Sequence, residues 1–264
     1  MSIAWFNGAL VDGLLKLDSA DRGLTLGDGL FETIAVYGSR VIWLDEHVTR
    51  MENSASELGI GFDAEKIRAG IAAVLKRNEF PFSSLRITLT RGVVQPRALA
   101  GHGAKPNLMI VLTQFEPAHG QTIVLATSAI RRNATAPSSR LKTLSYIDNI
   151  AAAREVAARA DDALMLNTVG NVACTSIGNL FLIKDNQLIT PRADQGILCG
   201  IARAKLLPEA REEIVSVADV FSADAVFRTN SLRLITPVTM LDGKPLGTGS
   251  VDHIKSRILE RTNT

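Results

Sequence analysis

Short apolar segments alternate along the chain with segments whose apolar residues recur every three or four positions. The short segments are rich in β-branched and aromatic residues, and in the first part of the chain they predict strands at 3–6, 31–37, 41–43, 85–90 and 108–112. The helical spacing predicts two helices, around 48–58 and 67–75. Asn7-Gly8 lies between two apolar runs, which favours a hairpin turn after the first strand.

The segment 114–120 interrupts this pattern with Pro and Gly, and a new apolar run follows it. We predict a domain boundary here, between a small N-terminal α/β domain at 1–116 and a larger C-terminal α/β domain at 117–264 that carries Lys142. Strands and helices also alternate in the second part; the predicted strands are 123–126, 163–166, 179–184, 188–190, 225–228 and one near Val238. The class predicted for the whole chain is α+β.

Composition excludes several kinds of partner. Lys plus Arg number 29 and Asp plus Glu 27, so the net charge of +2 gives no basic field that would hold a nucleic acid. Apolar stretches are far shorter than the ~20 residues that cross a bilayer, and no secretory signal is expected at the N-terminus. Two cysteines and four histidines without ligand spacing predict neither a disulfide framework nor a metal site. A cytoplasmic protein is expected.

Four segments carry residues that suit chemistry. They are a glycine-rich turn before a strand at 21–33, Arg50 on a predicted helix, Lys142 among apolar residues ahead of a helix, and a glycine turn at 196–203 that opens a helix. A desolvated lysine is a competent amine for Schiff-base chemistry, and helix N-terminal N–H groups suit a phosphate. Taken singly, each segment also has an ordinary interpretation, as a turn, a surface Arg or Lys, or a plain helix start.

Taken together and in this order, the segments resemble the aminotransferase class IV family, the fold-type IV pyridoxal-phosphate enzymes. The resemblance covers nearly the whole chain. It rests on DRGLTLGDGLFET, HVTRMENSASELGI, LKTLSYIDN, GNVACTSIGNLF, TPRADQGILCGIAR and FRTNSLRLITPV. It implies a D-amino-acid aminotransferase-like fold of two α/β domains with the active site between them, pyridoxal 5'-phosphate as cofactor, and a homodimer acting on a small amino substrate.

The resemblance also implies a role for individual residues. Lys142 would bond to the cofactor and, once displaced by the substrate amine, would move the proton at the substrate Cα. Arg50 would contact the cofactor phosphate, together with the backbone N–H groups of Ile201 and Ala202 and the hydroxyl of Ser231. Ala202 replaces a Thr that is common in the family, which removes one side-chain contact.

Cys174 is the main departure from the family pattern. The family places a Glu here that pairs with the pyridine nitrogen, whereas this block reads GNVAC. A thiol is a weak hydrogen-bonding group and cannot hold a proton on the ring as a carboxylate does. We therefore expect slow complete transamination and better performance in elimination, unless a water or a neighbouring group substitutes for the Glu.

Three features favour 4-amino-4-deoxychorismate lyase within the family: the short chain, the block TNSLR, and Cys174. The alternatives are an aminotransferase acting on D-amino or branched-chain amino acids, and a catalytically weak relative that acts as a binding protein. Arg97 is the candidate for a substrate carboxylate, since an arginine fork matches that group, and a surface role for it is equally compatible with the sequence. Phe31 is the second substrate-side candidate.

Overall fold

The computed structural model describes residues 3–77, 79–94, 99–100, 104–117, 120–247 and 249–262. Contacts between Cα atoms divide the chain into two compact units, Met1–Pro117 with Leu141–Ser145, and Ala118–Arg140 with Tyr146–Thr264. The boundary predicted after residue 116 lies beside this division. The structure differs from the prediction in one respect: the segment with Lys142 groups with the first unit, because its backbone pairs with the strand that starts at Gly29.

The first unit contains a six-stranded antiparallel sheet. Its strands and helices are β1 (Ile3–Phe6), β2 (Ala9–Val11), α1 (Arg22–Leu26), β3 (Gly29–Tyr37), β4 (Arg40–Val41), α2 (Leu44–Leu58), α3 (Ala64–Leu75), β5 (Phe82–Thr90) and β6 (Asn107–Gln114). The strand order is β2-β1-β6-β5-β3-β4. Asn7 and Gly8 both have positive φ, 48° and 120°, and connect the paired strands β1 and β2. The predicted hairpin is therefore confirmed.

Helices α2 and α3 cover one face of this sheet. Alternate residues of β3 and β5, such as Ile34 and Ile87, join Met51 and Ile71 in the core between sheet and helices. Since successive strand residues point to opposite faces, Phe31 lies on the other face of the sheet. The strand predicted at 41–43 is wrong at its end, because Trp43 has a φ of 54° and begins α2 instead of extending β4.

The second unit is built on a nine-stranded mixed sheet. Its strands are β7 (Ile123–Thr127), β8 (Asp162–Leu166), β9 (Val172–Thr175), β10 (Asn179–Lys184), β11 (Gln187–Pro191), β12 (Ala210–Glu213), β13 (Ala225–Asn230), β14 (Leu234–Leu241) and β15 (Lys244–Pro245). Its helices are α4 (Pro137–Arg140), α5 (Ile147–Val156), α6 (Ile201–Leu206), α7 (Val217–Ser222) and α8 (Asp252–Glu260). The strand order is β12-β11-β10-β13-β14-β7-β8-β9, with β15 paired to β14.

Both faces of this second sheet are buried in its centre. On β8, Leu164 and Leu166 join one apolar cluster, and Ala163 and Met165 join another on the opposite face, which α5 covers. A strand buried on both faces is continuously apolar, which is how this segment differs from an alternating strand. None of the helices within the described ranges is both long and apolar enough to cross a membrane.

Candidate active site

Lys142 lies beside the start of β3 in the first unit. The backbone N–H of Phe31 donates to the carbonyl oxygen of Lys142 over 2.9 Å, and the N–H of Leu144 donates to the carbonyl oxygen of Gly29 over 2.9 Å. These bonds extend the sheet edge and fix the lysine backbone. The Lys142 Nζ then lies 4.2 Å from the centroid of the Phe31 ring. The structure thus brings together two of the residues predicted from the sequence.

The amine of Lys142 has an unusual acidity. Burial lowers its pKa to about 8, Glu32 opposes this shift, and the positive charges of Arg50 and Arg86 add to it. At pH 7 about a tenth of this amine is therefore unprotonated, against less than about one part in a thousand for an ordinary lysine. A lysine in this state can act as a nucleophile and as a proton acceptor near neutral pH.

Glu32 is buried beside the lysine, on the face of β3 that contacts α2. Arg50 Nε donates to Glu32 Oε1 over 2.8 Å and Arg50 Nη2 to Glu32 Oε2 over 2.5 Å, while His47 Nδ1 is 2.7 Å from Glu32 Oε2. Burial opposes ionisation of Glu32, but the neighbouring Arg50 and His47 lower its pKa to about 2. The carboxylate is ionised and compensates the Arg50 charge.

His47 completes this buried cluster in its neutral form. Burial lowers its pKa, and the hydrogen bond to Glu32 only partly offsets that effect. Because an ionised carboxylate accepts, we assign the proton to Nδ1. Its Nε2 is buried and has no hydrogen-bond partner within the described part of the chain. Sequence reasoning missed Glu32 and His47; the available signal was one acidic residue among the apolar, helix-facing positions of β3.

Arg86 is a further cation at this place that the sequence analysis did not single out. Its Cζ lies 4.0 Å from the centroid of the same Phe31 ring that Lys142 contacts. Phe31 itself is buried, with 6% of its surface exposed. A strand register is needed to predict this meeting, since Arg86 is on β5 and Phe31 is on β3. The other substrate-side candidate, Arg97, lies outside the described residues.

Cys174 occupies the middle of β9 in the second unit, paired with Met165 of β8. Its side chain is buried in an apolar cluster. Burial raises the pKa of its thiol, Arg132 acts against this and Asp162 adds to it. The thiol is therefore protonated and neutral at pH 7. Asp162 does not substitute for a carboxylate here, since Arg228 Nη1 donates to it over 2.8 Å in a buried ion pair.

Arg132 supplies a buried positive charge close to this thiol. Its guanidinium donates to the carbonyl oxygens of Gly196 and Ser139, over 3.1 and 2.6 Å, and to Asn149 Oδ1 over 3.1 Å. In the part of the chain that the structure describes, no carboxylate pairs with it. The surroundings of Cys174 are thus apolar with one cation nearby, which differs from a site that holds a carboxylate.

The remaining predicted residues cluster near the start of α6. Gly200 is the N-cap of this helix and has no capping side chain, so the N–H groups of Ile201 and Ala202 begin the helix. Asn179 pairs with Thr229 of β13, and its Nδ2 donates to the carbonyl oxygen of Leu198 over 2.8 Å, which ties the loop before α6 to this strand.

Ser231 follows the end of β13 in this region. It is half-buried, and the side chain of Asn230 next to it accepts from the N–H groups of Leu232 and Arg233 over 3.1 and 2.9 Å, which fixes the turn. The Thr229 Oγ1 is buried and lacks a partner among the described residues. Ile201, Ala202 and Ser231 therefore lie in one part of the second unit, as the sequence analysis expects for a phosphate-binding group.

The comparison with known proteins agrees with this arrangement. The profile of the amino-transferase class IV family matches residues 29–241. The chain is 27% identical to the D-alanine aminotransferase of Bacillus licheniformis, over 93% of this chain and 90% of that one. It is 28% identical to the aminodeoxychorismate lyase of Bacillus subtilis, over 89% of this chain and 84% of that one.

A solved structure gives the same result for the fold. The branched-chain amino acid aminotransferase of T.th. with pyridoxamine 5'-phosphate matches with a TM-score of 0.89 and 27% identity, over 99% of this chain and 94% of that one. The profile match covers most of the chain, and the relatives match over nearly its full length. The chain therefore belongs to the aminotransferase class IV family, whose members are pyridoxal-phosphate-dependent enzymes of fold type IV.

Proposed function

We propose that this protein is a pyridoxal-phosphate-dependent 4-amino-4-deoxychorismate lyase that releases pyruvate and 4-aminobenzoate. The observation that carries the cofactor assignment is the Lys142 amine, held over Phe31 with a pKa lowered to about 8. The branched-chain relative was solved with pyridoxamine 5'-phosphate, which supports the same cofactor here. When bound, the cofactor withdraws electrons from the substrate Cα.

The residues of this chain fit such a cofactor. Arg50, already oriented by Glu32, is assigned to the phosphate group. In the second unit the N–H groups of Ile201 and Ala202 and the hydroxyl of Ser231 have the same assignment. The buried Thr229 Oγ1, which has no partner in the described part of the chain, is a further polar atom that a bound group would satisfy. Binding of an anion here is supported by donors and not opposed by a carboxylate.

Lys142 would take and return the proton at the substrate carbon next to the amine. Its lowered pKa places the switch between the two protonation states close to neutral pH, where proton transfer in both directions is efficient. The Phe31 ring contacts the amine, and the hydrogen bond from the Phe31 N–H fixes the lysine backbone. Glu32 keeps Arg50 compensated, so that the amine faces less positive charge.

Cys174 is the observation that favours elimination over transamination. Its neutral thiol, buried beside the Arg132 cation, cannot keep a ring nitrogen protonated. A less electron-withdrawing ring stabilises a carbanion less, and elimination consumes the carbanion without a long-lived intermediate. The lyase of Bacillus subtilis among the relatives supports this reaction class.

Transamination of D-amino or branched-chain amino acids is the second candidate. It is supported by the names of the D-alanine and branched-chain aminotransferases to which the chain is similar. A catalytically weak binding protein is the third candidate, and the acidity of Lys142 speaks against it because a binding protein has no need of a lysine with a lowered pKa.

The remaining assignments follow from the same proposal. A lyase of this kind belongs to folate biosynthesis and is expected in the cytoplasm. We expect a homodimer; exposed leucines in the first unit, Leu14, Leu24 and Leu26, would be covered by a second copy. Arg97 stays a candidate for contact with a substrate carboxylate.

The test is an assay of the purified protein, loaded with pyridoxal phosphate, on 4-amino-4-deoxychorismate without any keto acid. The proposal predicts equal release of pyruvate and 4-aminobenzoate, and none from the Lys142→Ala variant. Conversion of the cofactor to its pyridoxamine form by D- or L-amino acids, with no release of 4-aminobenzoate, would instead establish an aminotransferase. A protein that stays colourless with the cofactor would favour the binding-protein alternative.

A further inference from the structure

Arg86 and Lys142 share one aromatic ring in the first unit. The Arg86 Cζ is 4.0 Å and the Lys142 Nζ 4.2 Å from the centroid of Phe31, so these two atoms cannot be farther apart than the two distances combined. Arg86 pairs in register with Thr33, and Phe31 pairs with Thr88, which places all four on neighbouring positions of β3 and β5. The strand pair thus holds the guanidinium at a fixed position beside the amine.

The charges around the amine are unbalanced. Arg50, Arg86 and Lys142 are cations, and Glu32 is the one anion among the charged groups that shift the Lys142 pKa. Glu32 is already engaged by Arg50 and by the neutral His47. When Lys142 is neutral, Arg86 still carries its charge, since a guanidinium does not lose its proton in proteins. This part of the sheet therefore attracts an anionic group close to the reacting amine.

A carboxylate fits this position better than any neutral group. A guanidinium that lies over a ring uses its flat face for that contact, while its N–H donors lie in its plane and match the two oxygens of a carboxylate. The Phe31 ring offers no hydrogen bond of its own. Thr88 Oγ1, buried and without a partner in the described chain, lies on the position of β5 that pairs with Phe31.

We infer that Arg86 binds a carboxylate of the amino substrate and makes the enzyme select carboxylated substrates over simple amines. This inference rests on the proposed function, because it takes Lys142 as the site of reaction. It assigns Arg86 to substrate binding and not to the cofactor.

The experiment compares Arg86→Gln and Arg86→Lys with the wild-type holoenzyme. The matched control is Arg77→Gln, whose side chain is 52% exposed and pairs with Asp12 at the surface. For each amino acid that the wild type converts, KM and kcat are measured beside the amine that has the same side chain but no carboxylate. The Kd of pyridoxal phosphate for each apoprotein is measured by absorbance, and the Kd of pyruvate for each holoenzyme by calorimetry.

Arg86→Gln is expected to raise the KM of carboxylated substrates and the Kd of pyruvate by roughly 10- to 100-fold, the loss of one charge-assisted pair. Values for the simple amines, the Kd of pyridoxal phosphate and the Arg77→Gln control should stay within about twofold of wild type. Arg86→Lys should recover part of the loss, since it restores the charge without the fork. If Arg86→Gln does not fold, the Arg86→Lys variant decides by the same ratio of KM values.

Other outcomes contradict the inference. Unchanged KM and pyruvate binding in Arg86→Gln would overturn it while leaving the proposed function intact. A weaker Kd of pyridoxal phosphate with unchanged discrimination would assign Arg86 to the cofactor instead. A wild-type protein that neither binds the cofactor nor converts any amine would refute the proposed function, and this inference with it.

Discussion

Phe31 holds Lys142 twice: its backbone N–H donates to the lysine carbonyl oxygen over 2.9 Å, and its ring centroid lies 4.2 Å from the lysine Nζ. The two contacts come from one residue of β3, so the strand that forms the centre of the first unit also sets the position of the amine. This coupling makes the geometry of Lys142 depend on residues of the sheet edge.

Replacement of Lys142 by Met should stabilise the apoprotein at pH 7. The pKa of Lys142 is lowered from 10.5 to about 8, so the folded state disfavours the charged form. This cost is fully present below pH 8 and disappears as the pH rises through 8 towards 10.5. We expect Lys142→Met to raise the free energy of unfolding by about 1–3 kcal/mol at pH 7 and by much less at pH 10.5. Urea unfolding at both pH values measures it, with the exposed Lys76→Met as control.

Glu32 should make the first unit sensitive to acid. Its pKa is about 2 in the folded protein, below its ordinary value of 4.5. Its stabilising contribution is therefore present above pH 4.5 and is lost as the pH falls from there towards 2. Over this window, wild type should lose about 2–3 kcal/mol more of its free energy of unfolding than Glu32→Gln does. The exposed Glu79→Gln should behave as wild type; parallel losses in all three proteins would refute the role of Glu32.

Gly29 should be required for the lysine segment to reach β3. A Cβ at this position would lie 2.5 Å from the Leu89 carbonyl oxygen and 2.7 Å from Leu144 Cδ1. Gly29→Ala should therefore cost about 2–4 kcal/mol of stability and displace Leu144. Gly61→Ala is the control, since its Cβ would meet Pro106 at 3.1 Å as nearest atom. Equal effects of the two changes on the unfolding midpoint would argue against this account.

A carboxylate at position 174 should favour transamination. Cys174→Glu would place an anion near the buried Arg132, which acts on the present thiol through its charge. We expect the half-reaction with amino acids to accelerate by at least about tenfold in Cys174→Glu, and not in the neutral Cys174→Ser. Stopped-flow absorbance of the cofactor measures this rate. No acceleration in Cys174→Glu, with the cofactor bound, would contradict the elimination argument.

Much of the local structure could be predicted from the sequence. Asn7-Gly8 has one favoured turn, and the helical spacing of Val48, Met51 and Ala55 has one buried face, so these elements follow from residues close in the chain. Trp43 could not be predicted, because its positive φ is imposed by the packing of α2 and not by its own preference.

The candidate site was predicted in its motifs but not in its contacts. Lys142 and Arg50 were found because each lies in a distinctive segment. Glu32, His47 and Arg86 were missed, since their roles depend on which strand lies beside β3 and in what register. The attachment of the lysine segment to the first unit is likewise a long-range pairing that no local pattern encodes.

The most direct test of the central claim is to identify the residue that bonds to the cofactor. The protein is incubated with pyridoxal phosphate at pH 8, reduced with borohydride, digested and sequenced by mass spectrometry. The account predicts a pyridoxyl group on Lys142, and none at any position in Lys142→Met. A pyridoxyl group on a different lysine, or an unlabelled wild-type protein, would contradict it.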